Sequence, residues 1–278
     1  MAWRLRIRHV TGFTYEGQAH ASYNEARLTP MTLPSQVTLF SQVEVHPAAS
    51  TYRYYDYWGT LVTAFDLQRQ HGELKVVSSS LVETDTPPPV TPAGWETLAA
   101  AADEHAELLA PTQRTSISAE LVDVAVGLGG PAAEPAEAAA AIADFVRAEV
   151  AYVPGSTGVQ TSAKEAWNLR KGVCQDIAQL TVALLRTRGI PARYVSGYLH
   201  PKRDAEIGQT VAGQSHAWVE WWCGDWVGHD PTNGVPVGPQ HVAVARGRDY
   251  DDVAPLKGVY HGPTSSAIAV TVEVTRVT

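Results

Sequence analysis

Three short stretches carry side chains whose types and spacing suit covalent chemistry. The first, GVCQDIAQL at 172–180, puts Cys174 at the head of a run in which Ile177, Leu180, Leu184 and Leu185 share one face. Gly189 ends that run and Pro191 follows it, the pattern of an amphipathic helix and its C-terminal stop. A cysteine at the first position of a helix meets unpaired backbone N–H groups and the positive end of the helix dipole. Both favour thiolate over thiol, and the N–H of Cys174 itself is placed to hold a developing oxyanion. A thiolate nucleophile needs a base that can later return the proton, which at neutral pH is usually histidine. Ten histidines are available, and His216 is selected by its place at the start of the strand-like HAWVEWW. The imidazole in turn needs a partner for its second nitrogen, and Asp230 closes the next strand-like stretch, WVGHDPTN. His216 lies eight residues before Gly224 and Asp230 six after it, so a turn at Gly224-Asp225 brings the two close to cross-strand register.

Each of these residues has a plainer reading. Cys174 could be a buried core thiol, His216 a structural histidine, and Asp230 before Pro231 a turn former. His229 competes with His216 but faces the side of its strand opposite to Asp230. Asp176 reads as compensation of the helix dipole. Cys223, after two tryptophans and before a turn, reads as packing. Trp167, Trp218, Trp221, Trp222 and Trp226 read mostly as core.

The elements that must position these groups follow from periodicity. WRLRIRHV, QVTLFSQVEVHP, STYRYYDYWGTLVTAFDLQ and GELKVVSSSLVET are strand-like, with Asp56 and Gly59 as turn residues, and point to an N-terminal antiparallel sandwich over 1–86. TDTPPPVTPAG, near 84–94, is a linker, because consecutive prolines fit neither helix nor sheet interior. Helical periods follow. GWETLAAAADEHAELLA reads as one helix and SISAELVDVAVGLGG as a second, within a helical linker region over 87–130. The third, EPAEAAAAIADFVRAEV, opens a core over 131–262. SAKEAWNLRKG is a short helix capped by Ser162, and PARYVSGYL, SHAWVEWWC and DWVGHDPTN are strands. The alternating SSAIAVTVEVTRVT, within 263–278, must return to a sheet. The fold class is α+β.

Composition narrows the function. The chain has 278 residues, 45% hydrophobic and 18% charged, with a net charge of -8, as for a globular protein of one large or two ordinary domains. No basic run suggests nucleic acid as a partner, and no apolar run is long enough to span a bilayer. The N-terminus lacks a signal-peptide core, so a cytoplasmic location is expected, and with it free thiols rather than a Cys174–Cys223 disulfide. No metal-binding spacing or glycine-rich phosphate loop occurs, so no metal and no cofactor is expected.

The succession GVCQDIAQLTVALLRTRGIPARYVSGYL, SHAWVEWW and WVGHDPTNG resembles the transglutaminase-like superfamily of papain-type thiol enzymes, in its bacterial two-domain branch. SYNEARLTP and YYDYWGT resemble the β-rich N-terminal region found there, and VAVARGRDYDDVAPLKG the segment after the catalytic aspartate. The resemblance implies a nucleophile helix packed on an antiparallel sheet, with Cys174 as nucleophile, His216 as general base and acid, and Asp230 as its orienter. It implies action on the amide bonds of a peptide or protein substrate through a thioester, ending in hydrolysis or transamidation. Many relatives carry a histidine four or five residues after the nucleophile where this chain has Gln179; a changed lining, not lost activity, is expected. The competing readings are a non-catalytic protein-binding module on the same fold and, more remotely, an arylamine-type acetyl transfer enzyme.

Overall fold

The computed structural model describes residues 2–202, 204–213, 215–262 and 266–278. Residues 263–265, where the sequence places the boundary before the final strand, lie outside the described residues. The chain begins with β1 (Trp3–Ala19), β2 (Ala21–Ala26), β3 (Gln36–His46), β4 (Thr51–Tyr55), β5 (Leu61–Leu67) and β6 (His71–Thr84). Then come α1 (Trp95–Ala100), α2 (Ala106–Leu109), α3 (Ala119–Gly127) and α4 (Pro135–Glu149). β7 (Ala151–Tyr152), α5 (Ala163–Leu169), β8 (Lys171–Gly172) and α6 (Cys174–Thr187) lead into β9 (Ala192–Leu199), β10 (Thr210–Gly213), β11 (His216–Trp222) and β12 (Trp226–Asp230). β13 (Val235–Pro236), β14 (His241–Gly247), α7 (Tyr250–Val253), β15 (Leu256–His261) and β16 (Ser266–Arg276) complete the order. The fold is α+β, largely antiparallel. Among the described residues no helix is long and apolar enough to cross a membrane.

Alternation in the first strands has the expected consequence. Trp3, Leu5 and Ile7 are buried while Arg6 and Arg8 face solvent. Two sheets, ordered β10-β16-β1-β6-β3 and β15-β2-β5-β4, enclose a core containing Tyr15, Leu28, Val45, Phe65 and Leu74. Asp56 makes the β4–β5 turn, its Oδ1 accepting from the N–H groups of Trp58 and Thr60 at 3.0 and 2.9 Å, with Gly59 at φ 75°. Later segments enter these same sheets. β16 lies between β1 and β10, and β15 pairs with β2. The sequence segment 131–262 therefore contributes β10 and β15 to the N-terminal sheets.

The segment read as one helix from Gly94 to Ala110 is interrupted. α1 ends at Ala100 and α2 starts at Ala106, with turns between. Each piece buries one leucine, Leu98 or Leu108, and a helix with so little packed surface gains little from propagating through exposed alanines. His105 instead turns its ring onto Trp222 and Trp226.

The third sheet, β13-β12-β11-β9-β14, presents Ala217, Val219 and Trp221 to α6, which buries Ile177, Leu180, Leu184 and Leu185 against them. Arg186 anchors the far end of α6, donating to the carbonyls of Ala110, Ala192 and Arg248. At the β14 edge of the sheet, the Gln36 side chain bonds the Ala243 backbone in both directions at 2.8 Å. Next to this clasp the β14–β9 ladder shifts register between Ala243 and Ala245. The N-terminal sandwich is thus clasped to the sheet that carries His216.

Candidate active site

Cys174 is the first residue of α6, half-buried, and the chain approaches it in extended form: β8 pairs in parallel with β7, and Val173 is the N-cap. Gly172 is required there. A Cβ on it would lie 2.7 Å from the Cβ of Asp176. Asp176 is buried and does more than offset a dipole: its Oδ2 accepts from the Val173 N–H at 2.8 Å and the Thr157 hydroxyl at 2.6 Å. Burial pushes its carboxyl above the ordinary range despite these bonds. Removing the carboxylate in Asp176→Ala strands the Val173 donor, so a loss of about 1–2 kcal/mol in urea unfolding is expected, with Asp176→Asn recovering part of it.

The loop from Val153 to Ser162 is pinned beside the sulfur. Gln175 Nε2 donates to the Gly158 carbonyl at 2.7 Å, and Gln179 Nε2 to that of Thr161 at 2.9 Å. Gln179, the departure noted in the sequence, is therefore buried and tethers this loop. Two tyrosines flank the nucleophile position. The phenols of exposed Tyr152 and buried Tyr194 are both raised, first by desolvation and then by the charge of Cys174. The Cys174 N–H, at the first helical position, has no acceptor within the helix.

The strand spacing delivers His216 and Asp230 to each other, at the two-residue offset that the unequal arms about Gly224 give. Pairing of Trp222 with Trp226 and Val219 with His229 sets the β11–β12 register. Asp230 then falls opposite Trp218, so His216 is its diagonal neighbour rather than its direct partner. The offset is two residues, and side chains two apart share a face. His216 Nε2 donates to Asp230 Oδ2 at 2.7 Å. Burial would lower the His216 pKa, but the Asp230 bond and the Cys174 sulfur outweigh it and raise it from 6.5 to about 10. With Nε2 engaged by Asp230, Nδ1 is the nitrogen left for the sulfur.

Asp230 is fully buried. Its Oδ1 accepts from the backbone N–H groups of Thr232 and Asn233, at 3.0 and 3.1 Å, and its Oδ2 also accepts from Asn233 Nδ2 at 2.7 Å. Desolvation opposes ionisation, yet the donors, His216 foremost, hold its carboxyl far below the ordinary range. A further donor is His241, whose Nε2 lies 3.3 Å from Asp230 Oδ2. Sequence reasoning missed it. The available signal was a second histidine opening a strand: β11 and β14 flank β9, and His216 and His241 pair with Gly197 and Leu199. Gly197 carries no side chain because a Cβ there would strike the Val242 carbonyl and the Trp218 ring.

The rival residues lie elsewhere. His229 stacks on Trp221 on the other face, and burial lowers its pKa. Cys223 is buried and its thiol is pushed up by desolvation. Both cysteines are free. Trp218 is wedged against the rings of His241 and His216 at 5.3 and 6.2 Å. Among the described residues no group of three or more His, Cys, Asp or Glu is arranged to hold a metal ion. A half-buried thiol at a helix start, an imidazole with its second nitrogen on a carboxylate, and that carboxylate fully bonded make up an arrangement suited to acyl transfer through sulfur.

Residues 122–231 match the transglutaminase-like superfamily, and residues 5–83 match the bacterial transglutaminase-like N-terminal region. The chain belongs to the transglutaminase-like superfamily. An uncharacterized protein of Mycobacterium leprae is 49% identical, with the match covering 99% of each chain. A Pseudomonas aeruginosa protein-glutamine gamma-glutamyltransferase is 32% identical over 37% of this chain and 17% of its own length. The fold is that of a crystallised candidate cysteine protease from Cytophaga hutchinsonii, with a TM-score of 0.79, 23% identity, and coverage of 100% of this chain and 92% of that one. As a superfamily member, the protein falls in a family of thiol enzymes.

Proposed function

We propose that the protein acts on amide bonds of a peptide or protein through a thioester on Cys174. The observation that carries this reading is His216, bonded to Asp230 at 2.7 Å and raised to about 10 with the Cys174 sulfur among the causes. In the proposed cycle the Cys174 thiolate attacks the carbonyl carbon, and the oxyanion is held by helix-end N–H groups including that of Cys174. The His216 imidazolium gives its proton to the leaving amine or ammonia as the C–N bond breaks. His216, now neutral, takes a proton from the incoming nucleophile. Water gives the carboxylic acid, and a primary amine gives a new amide. Hydrolysis by a peptidase or amidase is the form we favour over cross-linking.

The test is intact-protein mass spectrometry after exposure to a library of peptides and glutamine analogues. An acyl adduct mapping to Cys174 and absent from Cys174→Ala is expected. Ammonia or amine release that is unchanged by added primary amine assigns hydrolysis; incorporation of the amine assigns transamidation. A Cys174 that forms no adduct and alkylates no faster than a free cysteine would leave the superfamily fold as a protein-binding module.

A further inference from the structure

We infer that His241 is a positioning residue: its neutral imidazole holds the Asp230 carboxylate turned toward His216. This rests on the proposed function and concerns how that site is kept aligned. Among the described residues, four donors surround Asp230 besides His241. Three of them, the N–H groups of Thr232 and Asn233 and the Asn233 amide, come from the turn that follows Asp230 itself. They pull the carboxylate into its own turn. His216 is the fourth, and it is the group to be positioned. His241 alone among the five reaches Asp230 from β14, on the far side of β9, and binds the oxygen that His216 uses. It opposes the pull of the turn.

The ring is built for that task. Its Nδ1 accepts the Gly238 N–H at 3.2 Å, which puts the ring proton on Nε2 and makes that nitrogen a donor. Trp218 meets it edge to face at 5.3 Å and prevents rotation. The side chain is 1% exposed. Desolvation lowers its pKa against the pull of Asp230, with the His216 charge lowering it further. Asp230 and His216 are the titratable groups that act on it from β12 and β11. Arg193, Glu220 and Arg246 line the same cavity behind the sheet. Neutrality matters because a second cation on the same carboxylate, with its ring 6.4 Å from that of His216, would compete with the imidazolium for it. A neutral donor orients the oxygen without that competition.

The test uses the full chain with His241→Phe, which keeps ring volume but neither donates nor accepts, and His241→Gln, which can do both. The His216 ring is followed by NMR in protein labelled with 15N at histidine, from about pH 5 to 11. Without His241 the carboxylate turns away, so in His241→Phe the His216 titration is expected about one pH unit lower, a tenfold change in its proton affinity. Alkylation of Cys174 by iodoacetamide at about pH 6 slows in parallel. His241→Gln restores both. Unchanged titration in a folded His241→Phe overturns the inference, and so does an equal fall in both variants, which would mean that only the ring's packing matters. A wild-type His216 titrating near the ordinary histidine value would instead overturn the proposed function.

Discussion

His216→Ala is expected to lower turnover by about a thousandfold or more, because in the proposed cycle one residue supplies both the general base and the general acid. The same substitution should slow alkylation of Cys174 by iodoacetamide at about pH 6 by about tenfold or more, since a thiol without an imidazolium beside it is less than about 1% ionised there. The effect is tied to pH. The folded pKa of His216 is raised to about 10. Its stabilising contribution is therefore complete below the unfolded value of 6.5 and is lost as pH rises through about 10. Asp230, held far below its ordinary range, contributes above the ordinary carboxylate pKa and loses that contribution in acid. The wild-type urea midpoint should fall between neutrality and about pH 10, and His216→Ala should remove most of that fall. A His216→Ala protein that still turns over, or whose Cys174 alkylates at the wild-type rate, would refute the role assigned to the imidazole.

The second large effect concerns stability. Glu220, on β11, is buried and holds two arginines: Arg193 Nη2 lies 2.6 Å from its Oε2 and Arg246 Nη2 2.8 Å from its Oε1. Both guanidinium groups are largely buried, and burial lowers Arg193 to about 10 even with Glu220 beside it. Glu220→Ala would leave two desolvated cations with no carboxylate between them. A loss of about 3–5 kcal/mol is expected, read as the shift in urea unfolding. Glu220→Gln should recover part of it by keeping the hydrogen bonds while losing the charge. Replacing all three residues by apolar groups of similar volume should cost far less than Glu220→Ala alone, because breaking a buried ion pair is worse than removing it.

These residues also show what the sequence could and could not disclose. The position of Cys174 was legible because a helix start has a local signature: an apolar stripe after it, and Gly189 and Pro191 at the far end. His216 and Asp230 were legible as a pair because two strands and one tight turn fix a register. The count about Gly224, eight residues on one arm and six on the other, already contained the two-residue offset that makes the pair diagonal rather than opposite. The Ser162 cap and the turn at Asp56 and Gly59 were local in the same way. His241 left only the trace of a second histidine at a strand start, and Glu220 with its arginines and the Gln36 clasp were not legible. Their partners lie 11, 26 or 27, and 207 residues away, and no periodicity encodes which strands become neighbours across β9. The split of the first predicted helix into α1 and α2 failed for a related reason: what decides it is tertiary packing, and the alanines there have almost none.

The placement of β16 between β1 and β10 has a temporal meaning. In the ladder Leu5 sits opposite Arg276, and Tyr15 opposite Ser266, so β1 waits for a strand 251 to 271 residues further along the chain before its sheet is whole. Until then β1 can pair only with β6 on its other side, and the strand edge awaiting β16 stays open to stray partners. Such long-range closure slows folding and exposes aggregation-prone edges in the interval. For this protein, the sealing of the sandwich beside the thiol-bearing core waits on that long-range pairing.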